Sequence, residues 1–259
     1  MRKIKSSFIL FGLLIFASPL FGQGQAQTRF SYRVVTLDSN YAQHPDSAMS
    51  AYLNSYKRQL DEAMSGIIGR CDKDLRNYPP QSELSNLLTD MLYNLGNHIC
   101  NETMGKSADM SLLNFGGIRC DVTAGDITLG TLYSMLPFDN TIVIITLKGR
   151  ELQKMFNRFT DTQCQPYANA QVVYENHQPA LVKVNHKKVK PNKSYRLVTI
   201  DFIQIGGDKI LEGVQFENVI ETHILLREAM IDCFKDYQKN GLGQSNMITG
   251  KLDRRVIIK

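Results

Sequence analysis

Apolar residues recur every three or four positions along three long stretches of the chain, which is the spacing of one face of an α-helix. Pro45-Asp46 introduces the first stretch, and the Pro79-Pro80 break and a candidate N-cap residue, Ser82, precede the second. The apolar positions are Met49, Tyr52, Leu53, Tyr56, Leu60, Met64 and Ile67 in the first; Leu84, Leu87, Leu88, Met91, Leu92, Leu95 and Ile99 in the second; and Leu225, Leu226, Ala229, Met230, Cys233, Phe234 and Tyr237 in the third. The pattern predicts three amphipathic helices, and shorter stretches predict two more at residues 128–136 and 150–159.

Short apolar runs bounded by glycine, proline and asparagine turns predict a set of β-strands. These runs cover residues 30–37, 67–71, 110–113, 141–147, 171–174, 181–184 and 195–202. The sequence shows no internal repeat, linker or low-complexity tract between the predicted helices and strands. We therefore expect an α+β fold, in which a single compact domain has mixed sheets layered with helices.

The N-terminus has the three-part pattern of a secretory signal peptide. Three basic residues lie within the first five positions, an apolar stretch follows at residues 8–17, and small residues surround two candidate cleavage positions, after Gly22 and after Ala26. The apolar stretch is shorter than the roughly 20 residues that a membrane-spanning helix needs, and a retained anchor is the alternative. We expect residues 1–26 to be a signal peptide and residues 27–259 to form an exported, periplasmic domain without stable membrane insertion.

The charge of the mature chain argues against a nucleic-acid partner. The full chain has 30 basic and 25 acidic residues, and loss of the three basic residues in positions 1–26 lowers its formal charge from +5 to +2. Proteins that bind nucleic acid usually present a strongly basic surface, which a charge of +2 does not indicate. The densest basic run, His186-Lys187-Lys188, is predicted to be the exposed turn of a hairpin.

Five cysteines lie outside the predicted signal peptide: Cys71, Cys100, Cys120, Cys164 and Cys233. None belongs to a Cys-x-x-Cys pair, so neither a zinc knuckle nor a thioredoxin-type redox site is indicated. An odd number leaves at least one thiol free. The two possibilities are buried, unpaired thiols, or one or two disulfides formed in an oxidising compartment.

Three loops next to predicted strands carry most of the residues that are suited to ligand binding. In the first, residues 114–119, Gly116 and Gly117 allow a ligand to approach the backbone, and Asn114 can both donate and accept hydrogen bonds. Arg119 offers a planar fork of donors for a phosphate or a carboxylate. The alternative is an ordinary Gly-Gly turn in which Arg119 forms a salt bridge.

The second loop, residues 136–140, lies between a predicted helix and a predicted strand. Pro137 ends the helix and can direct Phe138 outward as a flat platform, with Asn140 close by. The alternative is that Phe138 packs over the core.

The third loop, residues 201–208, places Phe202 at a strand end and Asp208 on a Gly-Gly turn that includes Gly207. A plain turn is again the alternative. Taken together, the three loops offer two aromatic rings, a guanidinium group and a carboxylate. Aromatic rings stack on bases, a guanidinium group binds anions, and a carboxylate accepts hydrogen bonds from ribose hydroxyls, so the combination favours a nucleotide as the ligand.

Three segments resemble the C-terminal domain of the 5′-nucleotidases: NFGGIRCDVTAGDITLGTLYSMLPFDNTIVIITLKGREL, the later DFIQIGGD and the earlier QSELSNLLTDML. The resemblance covers nearly the whole mature chain, and the elements Asn-x-Gly-Gly-Ile-Arg, Leu-Pro-Phe and Phe-x5-Asp occur in the family's order. In that family this domain binds the nucleoside part of the substrate. A separate N-terminal metallophosphoesterase domain holds two metals and hydrolyses the phosphate ester.

The resemblance implies a role for individual residues. Phe138 and Phe202 resemble the two stacking aromatics, and Asp208 resembles the carboxylate that binds the ribose hydroxyls. Arg119 resembles an arginine near ribose and phosphate. The predicted substrate-binding residues are Asn114, Gly116, Gly117, Arg119, Phe138, Asn140, Phe202, Gly207 and Asp208. The sequence departs from the family pattern at Lys209, where glycine is usual, and at an additional arginine, for which Arg76 is out of register.

No catalytic residue and no metal or other cofactor is predicted on this chain. A two-metal phosphoesterase needs clustered Asp, Asn and His ligands, and none of the five histidines lies in an Asp-x-His or Gly-Asn-His-Glu setting. Gly96-Asn97-His98 lacks the acid of the second motif because Ile99 follows it. We therefore expect the divalent metals on a separate metallophosphoesterase chain.

These observations favour one functional hypothesis over two others. The favoured hypothesis is an exported, stand-alone substrate-binding half of a split 5′-nucleotidase, a hydrolase component that acts in nucleotide catabolism beside a metallophosphoesterase partner. The second is a non-catalytic module that binds nucleotides or nucleosides. The third is a structural relic whose pocket has closed.

Overall fold

The computed structural model describes residues 30–36, 45–240, 248 and 250–259. The chain divides into two units, Met1–Ser50 and Ala51–Lys259. The predicted signal peptide, residues 1–26, lies outside the described residues. No helix within the described residues is long and apolar enough to cross a membrane.

The predicted opening strand at residues 30–37 is wrong for the part that the structure describes. Residues 30–36 have no regular secondary structure, and their side chains are exposed. An alternating apolar pattern favours a strand, but a strand also needs a neighbour for its backbone hydrogen bonds. Residues 30–36 pair with no other strand among the described residues.

Helices and strands alternate irregularly along the chain, as in an α+β fold. The helices are α1 (Ser47–Met64), α2 (Glu83–Met104), α3 (Leu129–Met135), α4 (Gly149–Phe156), α5 (Asp201–Gln204) and α6 (Leu226–Asn240). The strands are β1 (Ile67–Cys71), β2 (Met110–Leu112), β3 (Gly125–Thr128), β4 (Thr141–Lys148), β5 (Tyr167–Ala168), β6 (Ala170–Glu175), β7 (Gln178–Val184), β8 (Lys187–Lys188), β9 (Ser194–Ile200), β10 (Asn218–Leu225) and β11 (Val256–Ile258). Short 3₁₀ turns lie at Phe115–Gly117 and Gly207–Lys209.

The largest sheet has five strands in the order β10-β4-β9-β2-β5. Strand β2 runs parallel to β9, with Ser111 opposite Val198, and β4 runs antiparallel to β9, with Ile142 opposite Ile200. A second sheet has the order β11-β6-β7-β8, and β1 pairs with β3. The sheets are therefore mixed, and the predicted fold class is confirmed.

The second predicted helix, α2, buries its apolar stripe against the five-stranded sheet, and the third, α6, packs against β1, α2 and α3. Leu84, Leu88 and Leu92 of α2 are fully buried, as are Met230 and Phe234 of α6. Helix α2 begins at the predicted cap residue, because the Ser82 hydroxyl accepts a hydrogen bond from the Ser85 backbone N–H at 3.2 Å. Burial of these stripes contributes to the core together with the buried residues of β4, β6 and β9.

The first predicted helix forms, but none of its residues is buried. Tyr52, Leu53, Tyr56 and Leu60 expose more than half of their surface. Ile67, which the sequence pattern placed on the same apolar face, belongs to β1 instead. Apolar spacing predicts a helix with one apolar face, but it does not say whether other residues of the same chain pack against that face.

The structure differs from the sequence pattern at two element boundaries and in the position of one hairpin turn. Strand β9 ends at Ile200, two residues before the predicted end, because Asp201 and Phe202 belong to the short helix α5. Helix α4 ends at Phe156, three residues before the predicted end. The basic run lies at an exposed hairpin, but only His186 belongs to the turn: Asn185 and His186 have φ values of 50° and 61°, and Lys187–Lys188 form strand β8, which pairs with β7.

All five cysteines are free thiols in the structure, so no disulfide is present. Cys71, Cys100 and Cys164 are buried, and the other two are half-buried. Burial raises the pKa of Cys164 to about 12 and that of Cys233 to about 11, which keeps both thiols protonated at neutral pH. These two cysteines therefore act as small apolar side chains.

Candidate functional site

Three loops meet at one edge of the five-stranded sheet. Residues 114–119 follow the C-terminal end of β2, and residues 201–208 follow the C-terminal end of β9. Because these strands are parallel, both loops leave the sheet at the same edge. Residues 136–140 enter β4, which is antiparallel to β9, so they arrive at that edge as well.

A cavity of about 220 Å³ lies between the three loops. Eight of the nine residues predicted from the sequence line it: Asn114, Gly116, Gly117, Arg119, Phe138, Asn140, Phe202 and Asp208. The ninth, Gly207, lies next to the Phe202 ring. Arg76, the out-of-register arginine, is not among the lining residues.

The two phenylalanine rings are partly exposed on the cavity. Phe138 is 47% exposed and Phe202 is 37% exposed, so neither is buried among core side chains. They are absent from the aromatic ring pairs found in the described part of the chain, so they do not stack on each other. Ring faces that are not covered by protein can stack on a flat ligand.

Gly207 leaves room for the Phe202 ring at the cavity because it has no side chain. A Cβ atom at position 207 would lie 2.5 Å from the Phe202 carbonyl oxygen and closer still to the ring. The chain then turns through a left-handed residue, Asp208, with φ 51°. Non-glycine residues rarely adopt this conformation, and such strained positions are common at functional sites.

The first and third loops are joined by a hydrogen bond between two lining residues. The Asn114 amide donates to Asp208 Oδ2 at 2.7 Å, and Asn114 is only 5% exposed. Gly117 makes room for this amide, because a Cβ there would lie 2.6 Å from Asn114 Oδ1. Asn114 therefore orients the Asp208 carboxylate, which remains exposed and can accept further hydrogen bonds.

Arg119 brings an uncompensated positive charge to the cavity. Its guanidinium donates to the Gly116 carbonyl at 3.2 Å, and no carboxylate within the described residues lies within ion-pair distance of it. A salt-bridged arginine on a plain turn is therefore not what the structure shows. The Arg119 backbone N–H donates to Met135 O at 2.9 Å, which ties the first loop to the end of α3.

Three residues that support the loops were missed in the sequence. The Asn77 side-chain amide donates to Phe115 O at 3.3 Å and to Ile118 O at 3.0 Å. Gln165 Oε1 accepts the Phe115 backbone N–H at 2.9 Å. The third is Arg227, whose guanidinium donates to the second loop. Of the three, only Arg227 could have been noticed in the sequence, because it is a charged residue next to the apolar stripe of α6.

Within the described residues, no group of three or more His, Cys, Asp or Glu side chains is arranged to hold a metal ion. The polar groups that face the cavity are instead hydrogen-bonding and anion-binding groups. Their arrangement suits an organic ligand with a flat ring, hydroxyl groups and an anionic part.

The sequence model of the family described as 5′-nucleotidase, C-terminal domain, matches residues 67–213, which is more than half of the chain. The chain belongs to this family. The match spans all three cavity loops. The predicted family resemblance is therefore confirmed.

This chain matches only part of the length of its relatives. Protein UshA of Yersinia enterocolitica is 30% identical over 158 residues, which are 59% of this chain and 27% of that protein. The trifunctional nucleotide phosphoesterase protein YfkN of Bacillus subtilis is 26% identical over 208 residues, which are 72% of this chain and 14% of that protein. The chain thus spans less than a third of the length of these relatives.

Solved structures show the same fold. The crystal structure of the 5′-nucleotidase precursor from Thermus thermophilus matches with a TM-score of 0.64 at 23% identity, over 84% of this chain and 44% of that one. The NAD nucleotidase of Haemophilus influenzae matches with a TM-score of 0.58 at 17% identity, over 82% of this chain and 41% of that one. These likenesses support the α+β architecture of the family domain.

Proposed function

We propose that the cavity binds a nucleotide or nucleoside, with the base between Phe138 and Phe202. The observation that carries this proposal is that eight residues with complementary chemistry, drawn from three separate loops, line one cavity. Relatives in the family carry names such as nucleotide phosphoesterase and 5′-nucleotidase, which agrees with this ligand class. The open cavity argues against a structural relic.

Each part of the ligand has a matching group in the cavity. Stacking of a base on an aromatic ring contributes about 1–3 kcal/mol per base. The exposed oxygens of Asp208 are placed to accept hydrogen bonds from ribose hydroxyls, with Asn114 holding the carboxylate. Arg119 supplies a charge for the phosphate, and Asn140 adds a further polar side chain at the rim.

We further propose that the chain is the substrate-binding half of a split 5′-nucleotidase, exported to the periplasm and active in nucleotide catabolism. Support comes from the sequence, which has a signal-peptide pattern at residues 1–26 and none of the histidine motifs of a two-metal phosphoesterase. In this arrangement the partner chain holds the divalent metals and activates water. This chain contributes by holding the nucleoside so that the phosphate projects toward the partner.

Helix α1 offers a surface for such a partner. Four large apolar side chains, Tyr52, Leu53, Tyr56 and Leu60, are more than half exposed on it. Contiguous exposed apolar patches on soluble proteins often mark sites of protein–protein contact.

The test is a reconstitution assay with a metallophosphoesterase chain encoded near this one, in which phosphate release from AMP is measured. We expect this chain to raise kcat/KM by at least about tenfold over the partner alone, the scale of substrate-positioning effects. The Phe138→Ala variant should abolish the increase, and Phe30→Ala, which removes an exposed phenylalanine outside the cavity, should retain it.

Two results would contradict the split enzyme. If AMP hydrolysis by the partner is unchanged by this chain, the catalytic part of the proposal fails. If the chain binds adenosine tightly and still produces no partner-dependent turnover, the non-catalytic binding module is the correct alternative.

A further inference from the structure

We propose that Arg227 is a positioning residue that fixes the Phe138 loop in the conformation that stacks on the base. This inference rests on the proposed nucleoside-binding function. Arg227 lies in the first turn of α6, outside the cavity lining, and it acts through the backbone of residues 136–140.

The Arg227 guanidinium forms three hydrogen bonds to this loop. Its Nη1 donates to Leu136 O at 3.1 Å and to Phe138 O at 3.5 Å, and its Nη2 donates to Asp139 Oδ1 at 2.6 Å. The arginine is only 8% exposed, whereas the side chain of Asp139 is 78% exposed. The buried Arg227 guanidinium thus binds the loop from the interior of the protein, while the side chain of Asp139 faces the solvent.

The guanidinium is itself held in place by its surroundings. Its Cζ lies 4.3 Å from the centroid of the Tyr133 ring, a distance typical of a cation–π contact. The Tyr133 hydroxyl donates to Glu228 Oε1 at 3.2 Å, next to Arg227 in the chain. Stacking and hydrogen bonding therefore leave Arg227 little freedom to follow the loop if the loop moves.

The preceding residue fixes the other end of the same loop. The Leu226 backbone N–H donates to Asn140 O at 2.8 Å. Two adjacent residues at the start of α6 thus hold Leu136 and Phe138 on one side and Asn140 on the other. Pro137, Phe138 and Asp139 are exposed, so these backbone hydrogen bonds are what hold this part of the loop to α6.

Removal of the fork should therefore free the Phe138 ring. A ligand that stacks on a mobile ring must order the loop as it binds, and this ordering weakens binding. A ring that is already in place avoids the loss. Arg227 does not touch the base in this account, so its effect on affinity must pass through Phe138.

The test is a double-mutant cycle on adenosine binding, measured by calorimetry with the full mature chain. We expect Arg227→Met to raise Kd about tenfold in the otherwise unchanged protein and less than about twofold in a Phe138→Ala background. Arg255→Met is the matched control, because it removes an equally buried arginine that does not line the cavity; it should leave Kd within about twofold.

A second variant tests the same role even if Arg227→Met does not fold. Asp139→Ala removes one partner of the fork through an exposed side chain, so it should leave the fold intact and raise the Kd for adenosine about threefold. Equal losses for Arg227→Met in both backgrounds, or an unchanged Kd in Asp139→Ala, would overturn the positioning role.

Hydrogen exchange without ligand separates this inference from the proposed function. Arg227→Met should accelerate exchange of the backbone amides of residues 138–140 at least about tenfold and leave the amides of α2 unchanged. If the unmodified chain binds no adenosine, the proposed function fails. If it binds adenosine but Arg227→Met changes neither loop exchange nor Kd, only the role of Arg227 is overturned.

Discussion

Gly207 lies beside the Phe202 ring, and at this position a single methyl group has no space. A Cβ would lie 2.5 Å from the Phe202 carbonyl oxygen and even closer to one of the ring carbons. The ring would have to rotate away or the turn would have to open. Either change removes the ring face that lines the cavity.

We therefore predict that Gly207→Ala lowers the free energy of unfolding by about 1–3 kcal/mol, the usual cost of overpacking, and weakens adenosine binding. Urea titration and calorimetry measure the two effects. Gly66→Ala is the control, because a Cβ there has no neighbour nearer than 3.8 Å. A Gly207→Ala protein with unchanged stability and affinity would show that the Phe202 ring is not placed by this turn.

The Asp208 carboxylate is held by Asn114 and remains open to a ligand. We predict that Asp208→Asn weakens binding of adenosine about tenfold, since hydrogen bonds to a charged acceptor are stronger than those to a neutral one. Binding of 2′,3′-dideoxyadenosine, which lacks both ribose hydroxyls, should change much less.

Calorimetry with both ligands measures this difference, and Asp232→Asn on the exposed side of α6 is the control. An equal loss for the two ligands would mean that Asp208 does not contact the ribose.

Sequence could indicate the cavity residues because their motifs are local. Gly116-Gly117 and Gly206-Gly207 mark turns, and polar or aromatic residues next to strand ends mark a binding edge. The supports of these loops could not be predicted in the same way. Asn77 lies 38 residues before its partner Phe115, and Arg227 lies 88 residues after Asp139. Such contacts exist only after the chain has folded.

At the scale of elements, Gly96 lets α2 pack closely on the central strand β9. A Cβ at this position would lie 2.8 Å from Val198 Cβ and closer to both its methyl groups. Val198 is fully buried, so it has no free space to move into.

We predict that Gly96→Ala destabilises the protein by about 1–3 kcal/mol despite the better helix propensity of alanine. The double variant Gly96→Ala/Val198→Ala should be more stable than the sum of the two single changes predicts. Urea unfolding of the four proteins measures the coupling. Additive losses would contradict close packing of α2 on β9 at this point.

Apolar periodicity predicted the long elements with continuous apolar faces and missed strands that are short or only weakly apolar. Helices α2 and α6 and strand β4 have continuous apolar faces and were predicted close to their observed bounds. Strands β3, β5, β8, β10 and β11 were missed. Strand β10 shows why, because its residues alternate only weakly and none of them is buried. Its place depends on pairing with β4, which local pattern does not reveal.

At the scale of the whole molecule, the sheet order explains why three distant loops form one cavity. The parallel pair β2 and β9 sends two loops to one edge, and antiparallel β4 receives the third there. The fold class and family could be predicted from sequence because three segments keep the family's motifs in order. The topology that joins those segments required the structure.

The central claim is that the cavity binds a nucleoside between Phe138 and Phe202, and calorimetric titration of the purified mature chain with adenosine tests it most directly. We predict saturable binding with one site per chain, weakened at least about tenfold by Phe138→Ala and by Phe202→Ala. Phe30→Ala, the matched change at an exposed phenylalanine outside the cavity, should leave Kd unchanged. Absence of saturable binding, or equal affinity in all four proteins, would contradict the account.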